Sequence, residues 1–250
     1  MEKLTAEEVY GRLLHRDRIL TQKGRITFNL GNIDIIVKQR DVVGNIMQEW
    51  VEGWLKKNNI SYALNDNTQM PPDFYLNPID KKEDLLEIKA FNYKAGPGFD
   101  IADFLMYEKE IVQKPWVLNT NYLIFGYDMS DEGVVTVKNM WLKKVWEISR
   151  PMESGTKQKI VWPINLQIKK DVVHKMRPAR WYGNKLKRFS IFESLEDFLS
   201  AMEQTVYMDE DTRKDGPGWR QTIIENYKKY YGVKLNIPRW DEIESQYVHK

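Results

Sequence analysis

The sequence predicts an α/β fold: a mixed central β-sheet flanked by helices, in the order helix, three strands, helix, strand, with a C-terminal extension. Three observations predict it. Residues 41–57 carry the strongest helical apolar spacing in the chain, β-rich pieces follow, and a second helical run at 101–113 precedes a buried apolar strand at 122–126. Helices alternating with strands bury their apolar stripes on sheet faces. With 250 residues and 42% hydrophobic side chains, the chain can bury a sizeable core. The expectation is a single domain over 1–250, with a core at about 41–150 and a C-terminal part at about 151–250.

The elements follow in order. Thr5 is placed to cap a first helix, with Glu7 and Glu8 in its first turn and Val9, Leu13 and Leu14 on its apolar side. Residues 26–30 and 33–38 read as a hairpin turning at Gly31-Asn32. In the helix at 41–57, Val43, Met47, Trp50, Val51 and Trp54 form the expected buried face, and Gln48, Glu49 and Glu52 lie off it. Residues 60–64 alternate as a strand, Pro71-Pro72 extends the backbone before Asp73, and Asn77-Pro78 turns the chain. Asp100 is the expected cap of the helix at 101–113, which Pro115 ends. The strand at 122–126 should pair with 134–138 across a turn at 130–133. Residues 164–169 alternate as a further strand, and 192–204 and 219–231 have helical spacing, the second bounded by Gly232.

Composition narrows the chemistry. The absence of cysteine removes disulfides, thiolate metal sites and a thiol nucleophile, and agrees with a reducing cytoplasm. His15, His174 and His249 are too far apart in sequence to suggest a zinc site. No N-terminal leader and no run of about 18 apolar residues is present, so an intracellular, non-membrane protein is expected. The net charge of +2 is uninformative, but its distribution is not. Between 157 and 188 stand Lys157, Lys159, Lys169, Lys170, Lys175, Arg177, Arg180, Lys185, Lys187 and Arg188, against Asp171 alone.

The chemistry concentrates at 70–104. In Leu85-Leu86-Glu87-Ile88-Lys89-Ala90-Phe91, strand geometry sends Glu87 and Lys89 to the same side as Leu85 and Phe91, and Leu86, Ile88 and Ala90 to the other. Ionised groups on an apolar strand are costly without a partner, a metal or a solvated cleft. One reading is an ion pair on a solvated sheet face, worth little. Asp73, on the preceding β segment at a hairpin-compatible separation, adds a second carboxylate. Two carboxylates and an ammonium suit magnesium-assisted phosphodiester hydrolysis, with Asp73, Glu87 and the Ile88 carbonyl as metal ligands and Lys89 at the attacking water or the scissile phosphate.

Pro72-Asp73 followed by Glu87-Ile88-Lys89, within that order of elements, resembles the PD-(D/E)XK nuclease superfamily, and especially its type II restriction endonucleases, over residues 41–126. The strings GNIMQEWVEGWL and PGFDIADF are similar to restriction enzymes of the NgoBV/NlaIV type, whose site is GGNNCC. The resemblance implies a restriction-endonuclease-like core, a magnesium cofactor, and a homodimer cutting double-stranded DNA at a short palindrome. Members often carry a further acid on the preceding helix, a few residues after a glycine. Gly44 is followed at that place by Gln48 and Glu49, of which Glu49 ranks first as a catalytic candidate.

The basic stretch gains a role in this light. Lys169, Lys170, Lys175, Arg177, Arg180, Asn184 and Lys185, interleaved with Trp181 and Tyr182, are candidates for phosphate and base contacts, with Asn92 and Lys94 after the catalytic strand. The bland reading is a solvated basic face. The glycines at 96–98 would let backbone approach DNA or simply form a helix-entry turn. Two other functions fit the residues: a structure-specific repair or junction-resolving nuclease, and a non-catalytic DNA-binding protein.

Overall fold

The structure is a computed structural model that describes residues 1–67, 69–154, 159–183 and 190–248. The chain packs as two compact units. One comprises Met1–Asp66, Pro72–Phe99 and Asn121–Lys143, the other Asn67–Pro71, Asp100–Thr120 and Lys144–Lys250. Segments of the two alternate along the chain, so no one position, Arg150-Pro151 included, separates them.

In chain order the elements are α1 (Ala6–Gly11), β1 (Lys23–Arg25), β2 (Thr27–Leu30), β3 (Ile33–Ile36), α2 (Val43–Lys57), β4 (Ala63–Leu64), β5 (Phe74–Tyr75), β6 (Leu85–Asn92) and β7 (Ala102–Asp103). Then come α3 (Phe104–Gln113), β8 (Asn121–Met129), β9 (Val134–Lys143), β10 (Met152–Glu153), β11 (Ile160–Trp162), β12 (Leu166–Lys169), β13 (Val172–Met176), α4 (Leu195–Met208), α5 (Trp219–Tyr231) and α6 (Trp240–Tyr247).

In the first unit a mixed six-stranded sheet runs in the order β1-β9-β8-β6-β5-β4 among the described residues. Strands β6 and β8 are parallel from Leu86↔Asn121 to Asn92↔Tyr127, and the other neighbours are antiparallel. Val9 of α1 and Val43, Met47, Val51 and Trp54 of α2 share one core with Leu86, Ile88, Leu123 and Phe125. This is the mixed, helix-flanked sheet that the alternation predicts. Thr5 caps α1 as expected, accepting from the Glu8 N–H at 3.2 Å while Glu8 accepts from the Thr5 N–H at 2.8 Å.

Trp50 departs from expectation. It lies at the flank of the α2 stripe, 40% exposed, and lines a shallow groove of about 150 Å³ with Ile26, Met47 and Val135. The expected hairpin forms as β2 and β3, with Leu30 opposite Ile33 and Gly31 at φ 60°. The β8–β9 turn closes through the Gly133 N–H, which donates to the Ser130 carbonyl at 3.0 Å. A Cβ on Gly133 would sit 2.6 Å from the Ile36 side chain, so the glycine fixes how the β2–β3 hairpin seats on that turn. Strand β9 continues to Lys143, past the expected 138.

In the second unit β7 joins β13 and β12 in a three-stranded sheet among the described residues. The helix expected to start at Ile101 starts at Phe104, and its cap is Asp103 instead of Asp100. Asp103 accepts from the Met106 N–H at 3.1 Å, while the Asp100 carboxylate is held by the Arg177 guanidinium. Pairing of Ala102 and Asp103 with Met176 and Lys175 keeps that stretch extended. Ser194 caps α4, which begins at Leu195 and runs to Met208, beyond the expected 204. Helix α5 spans the expected residues and ends at Gly232, φ 69°. Helix α6 has no counterpart in the sequence reading. Among the described residues no helix is long and apolar enough to cross a membrane.

Candidate functional site

Strand β6 holds the centre of the candidate site. Its neighbour β5 pairs antiparallel, Phe74 with Leu86 and Tyr75 with Leu85, and extending that register by one residue sets Asp73 opposite Glu87. Directly opposed residues project to the same face with Cβ atoms about 5 Å apart. The ladder ends there in a side-chain bond, since the Ile88 N–H donates to Asp73 Oδ2 at 2.7 Å. Two residues on, Lys89 Nζ lies 2.7 Å from Glu87 Oε1. The structure therefore brings together Asp73, Glu87, Ile88 and Lys89.

Burial decides between the two readings of the Glu87–Lys89 pair. The Glu87 side chain is 6% exposed and that of Lys89 21%, so the pair does not lie on a solvated face. A buried ion pair is weak as a stabilising device, because desolvation offsets its attraction. The second Glu87 oxygen, Oε2, is buried with no hydrogen-bond partner among the described residues. Burial, and then the charge of Glu87, push the Asp73 carboxyl up to about 7, with the Ile88 N–H and Lys89 opposing the rise. Such crowded carboxylates resist joint ionisation until a cation relieves them. An inward-facing carboxylate oxygen without a donor and a second carboxylate across the ladder fit a hard divalent ion such as magnesium.

Glu49 is not brought to this group. Helix α2 packs its stripe into the core shared with Leu86 and Ile88, whereas Glu87 and Lys89 project from the opposite face of β6. Glu49 is exposed and Gln48 half-buried. Among the described residues no three His, Cys, Asp or Glu side chains gather as a metal-holding set. On the other side of β6, register places Tyr122 of β8 beside Glu87, and Lys143 of β9 beside Tyr122. Neither was singled out from the sequence; the parallel β6–β8 register reveals Tyr122, and the antiparallel β8–β9 register then reveals Lys143.

The DNA-contact candidates divide by partner. Asn92 accepts from the Lys94 N–H at 3.0 Å and shapes the turn after β6, and Lys94 Nζ lies 2.8 Å from Asp128. Lys175 pairs with Asp103 at 3.3 Å, and Arg177 with Asp100. Lys169 and Lys170 are exposed at the β12–β13 turn. Arg180 is exposed and stands over the Tyr182 ring at 5.2 Å. His174 is half-buried on β13. Asn184 and Lys185 lie outside the described residues, as do Lys157, Lys187 and Arg188.

The chain as a whole is similar to known proteins at high identity. The type II restriction enzyme NlaIV of Neisseria lactamica is 54% identical over 250 residues, 100% of both chains. The type II restriction enzyme NgoBV of Neisseria gonorrhoeae is 52% identical over 170 residues, 68% of this chain and 93% of that one. A solved structure of the NlaIV restriction endonuclease matches with a TM-score of 0.94 at 54% identity, covering 100% of this chain and 99% of that one. Residues 3–247 match the description "NgoBV restriction endonuclease", and the chain belongs to that family.

Proposed function

We propose that this type II restriction endonuclease uses Asp73, Glu87 and Lys89 to hydrolyse phosphodiester bonds of double-stranded DNA with magnesium, at a short palindrome of the GGNNCC kind. The observation that carries the reading is the pair of carboxylates facing each other across β5 and β6, one with a buried oxygen that has no hydrogen-bond partner among the described residues. Asp73 and Glu87, with the Ile88 carbonyl, would hold the ion. Magnesium bound there supplies charge neutralisation at the scissile phosphate and acidifies a water. Asp73 is fixed by its bond to the Ile88 N–H, so its carboxylate is oriented before any ligand arrives. Lys89, held at Glu87 Oε1, keeps its ammonium beside the reacting phosphate, where it orients the attacking water and stabilises charge on the phosphate oxygens. Water adds to phosphorus as the ester oxygen leaves. Glu49 stands as a further acid on α2 whose participation would need a shift of that side chain.

In this reading the two units act as one endonuclease domain. Catalysis resides within about 41–150, and DNA recognition in about 151–250, through Lys169, Lys170, Lys175, Arg177, Arg180, Asn184 and Lys185, assisted by Asn92 and Lys94. Two copies serve the two strands of the palindrome, inside the cytoplasm. The test is digestion of a sequenced linear plasmid with magnesium, followed by mapping of the ends. Discrete ends within one shared palindrome, lost on chelation, are expected. Intact DNA, or cutting confined to branched junctions, would overturn the proposal.

A further inference from the structure

Strand β13 meets acids that its own stretch of sequence lacks. Between 157 and 188 Asp171 stands alone against ten basic residues. Yet Lys175 and Arg177, two positions apart and so on one face of β13, each face an aspartate from residues 100–103. The Arg177 guanidinium is held by the Asp100 carboxylate, and Lys175 Nζ lies 3.3 Å from Asp103 Oδ2. Backbone bonds pin these aspartates in place. The Ile101 N–H donates to the Met176 carbonyl at 2.9 Å, Asp103 pairs with Lys175 in the ladder, and Asp103 Oδ1 accepts the cap bond from the Met106 N–H. In the other unit Lys94 is likewise answered by Asp128 at 2.8 Å. Partly exposed ion pairs across strands add little stability, and the β7–β13 ladder already has its backbone bonds. Folding therefore gives no account of why aspartates are set against the cations of this strand.

We propose that Asp100 and Asp103 are specificity-determining residues, which withhold Arg177 and Lys175 from the phosphates of duplex DNA that lacks the recognition site. The inference rests on the reading of β13 as part of the DNA-binding face. Binding to DNA of any sequence comes almost entirely from cations set against phosphates. A carboxylate offers Arg177 the same kind of anionic oxygen that a phosphate would. To take the cation, a phosphate must displace the carboxylate and leave it facing the negative backbone, which opposes the exchange. Lys169 and Lys170, exposed at the β12–β13 turn, draw the duplex in without reading it. On the recognition sequence, contacts that only that sequence supplies offset the loss of the aspartate partners. Discrimination thus comes from a penalty on the wrong DNA as well as from contacts to the right one.

The experiment is fluorescence anisotropy in calcium, with a labelled duplex lacking GGNNCC and a second duplex containing it, over about 50 to 200 mM salt. Asp100→Asn keeps an acceptor for Arg177 and removes only charge. Asp103→Asn also keeps a helix cap, since asparagine caps as well as aspartate. Asp211→Asn, an exposed acid of the same unit, controls for net charge. Each of the first two variants should bind the site-free duplex at least about 5-fold tighter at about 100 mM salt, with the slope of log K against log salt steeper by up to about 0.9. Affinity for the GGNNCC duplex should rise less, so the ratio of the two falls. The Asp211→Asn protein should match the parent. In an Arg177→Ala background, Asp100→Asn should give no gain. If one aspartate variant loses the parent's circular dichroism, the other is read alone, and loss in both would make the aspartates structural and overturn the inference. Unchanged affinity for the site-free duplex, a gain that persists without Arg177, or an equal gain in Asp211→Asn would also overturn it. Arg180→Ala in the same assay separates the two failures: weaker binding there leaves the DNA-binding reading of the basic stretch standing, and unchanged binding removes both.

Discussion

Asp73→Asn separates what this carboxylate costs the fold from what it does for the reaction. Burial first, and the Glu87 charge second, raise its carboxyl from 3.8 to about 7. In the metal-free protein the folded state thus keeps a proton that the unfolded state has already lost. Stability from this group is complete below about 3.8 and is lost as pH rises to about 7. At about 1.4 kcal/mol per pH unit, the gap amounts to about 4 kcal/mol at most, and solvent contact and coupling to Glu87 reduce it to about 2 kcal/mol. Asparagine keeps an acceptor for the Ile88 N–H and carries no charge. In urea titrations with chelator, the variant should gain about 2 kcal/mol near about pH 8 and less than about 1 kcal/mol near about pH 5. With magnesium, its plasmid cleavage should fall at least about 100-fold. An equal gain at both pH values, or cleavage at the parent rate, would refute the reasoning.

Three further outcomes are expected. Lys89→Ala should bind duplex DNA as the parent does in calcium while its cleavage falls at least about 100-fold in magnesium, measured by gel shift and plasmid nicking; cleavage at the parent rate would remove its role. Arg180→Ala should weaken binding and lower the slope of log K against log salt by about 1, whereas Arg177→Ala, already engaged with Asp100, should change it less; affinities unchanged across salt would count against the basic stretch. Glu108 of α3 is buried, accepts from the Trp219 Nε1–H at 3.1 Å, and is raised by burial from 4.5 to about 7. Glu108→Gln should therefore raise stability by about 2 kcal/mol near about pH 8, with the gain fading toward about pH 4, and leave cleavage intact. A variant less stable than the parent at the higher pH would contradict this.

What could be read from the sequence was local. The β2–β3 hairpin, the α2 stripe and the 130–133 turn follow from periodicity and turn residues within a dozen positions. The candidate site was legible as a cluster because Glu87 and Lys89 break an apolar strand and Asp73 lies at hairpin distance. What escaped depends on distant partners. Asp100 looks like a helix cap until Arg177, 77 residues away, claims its carboxylate. Trp50 carries the right spacing for the core, but the edge of a stripe is buried only if something covers it. Tyr122 meets Glu87 through a parallel register that neither strand encodes alone. Glu49 fits a spacing rule, yet α2 covers the face of β6 from which Glu87 points away.

Anomalous diffraction from crystals of the protein with a GGNNCC duplex, soaked in manganese as a stand-in for magnesium, tests the central claim most directly. The account predicts a peak about 2.1 Å from a carboxylate oxygen of both Asp73 and Glu87. Manganese bound elsewhere, with both carboxylates bare, would contradict it.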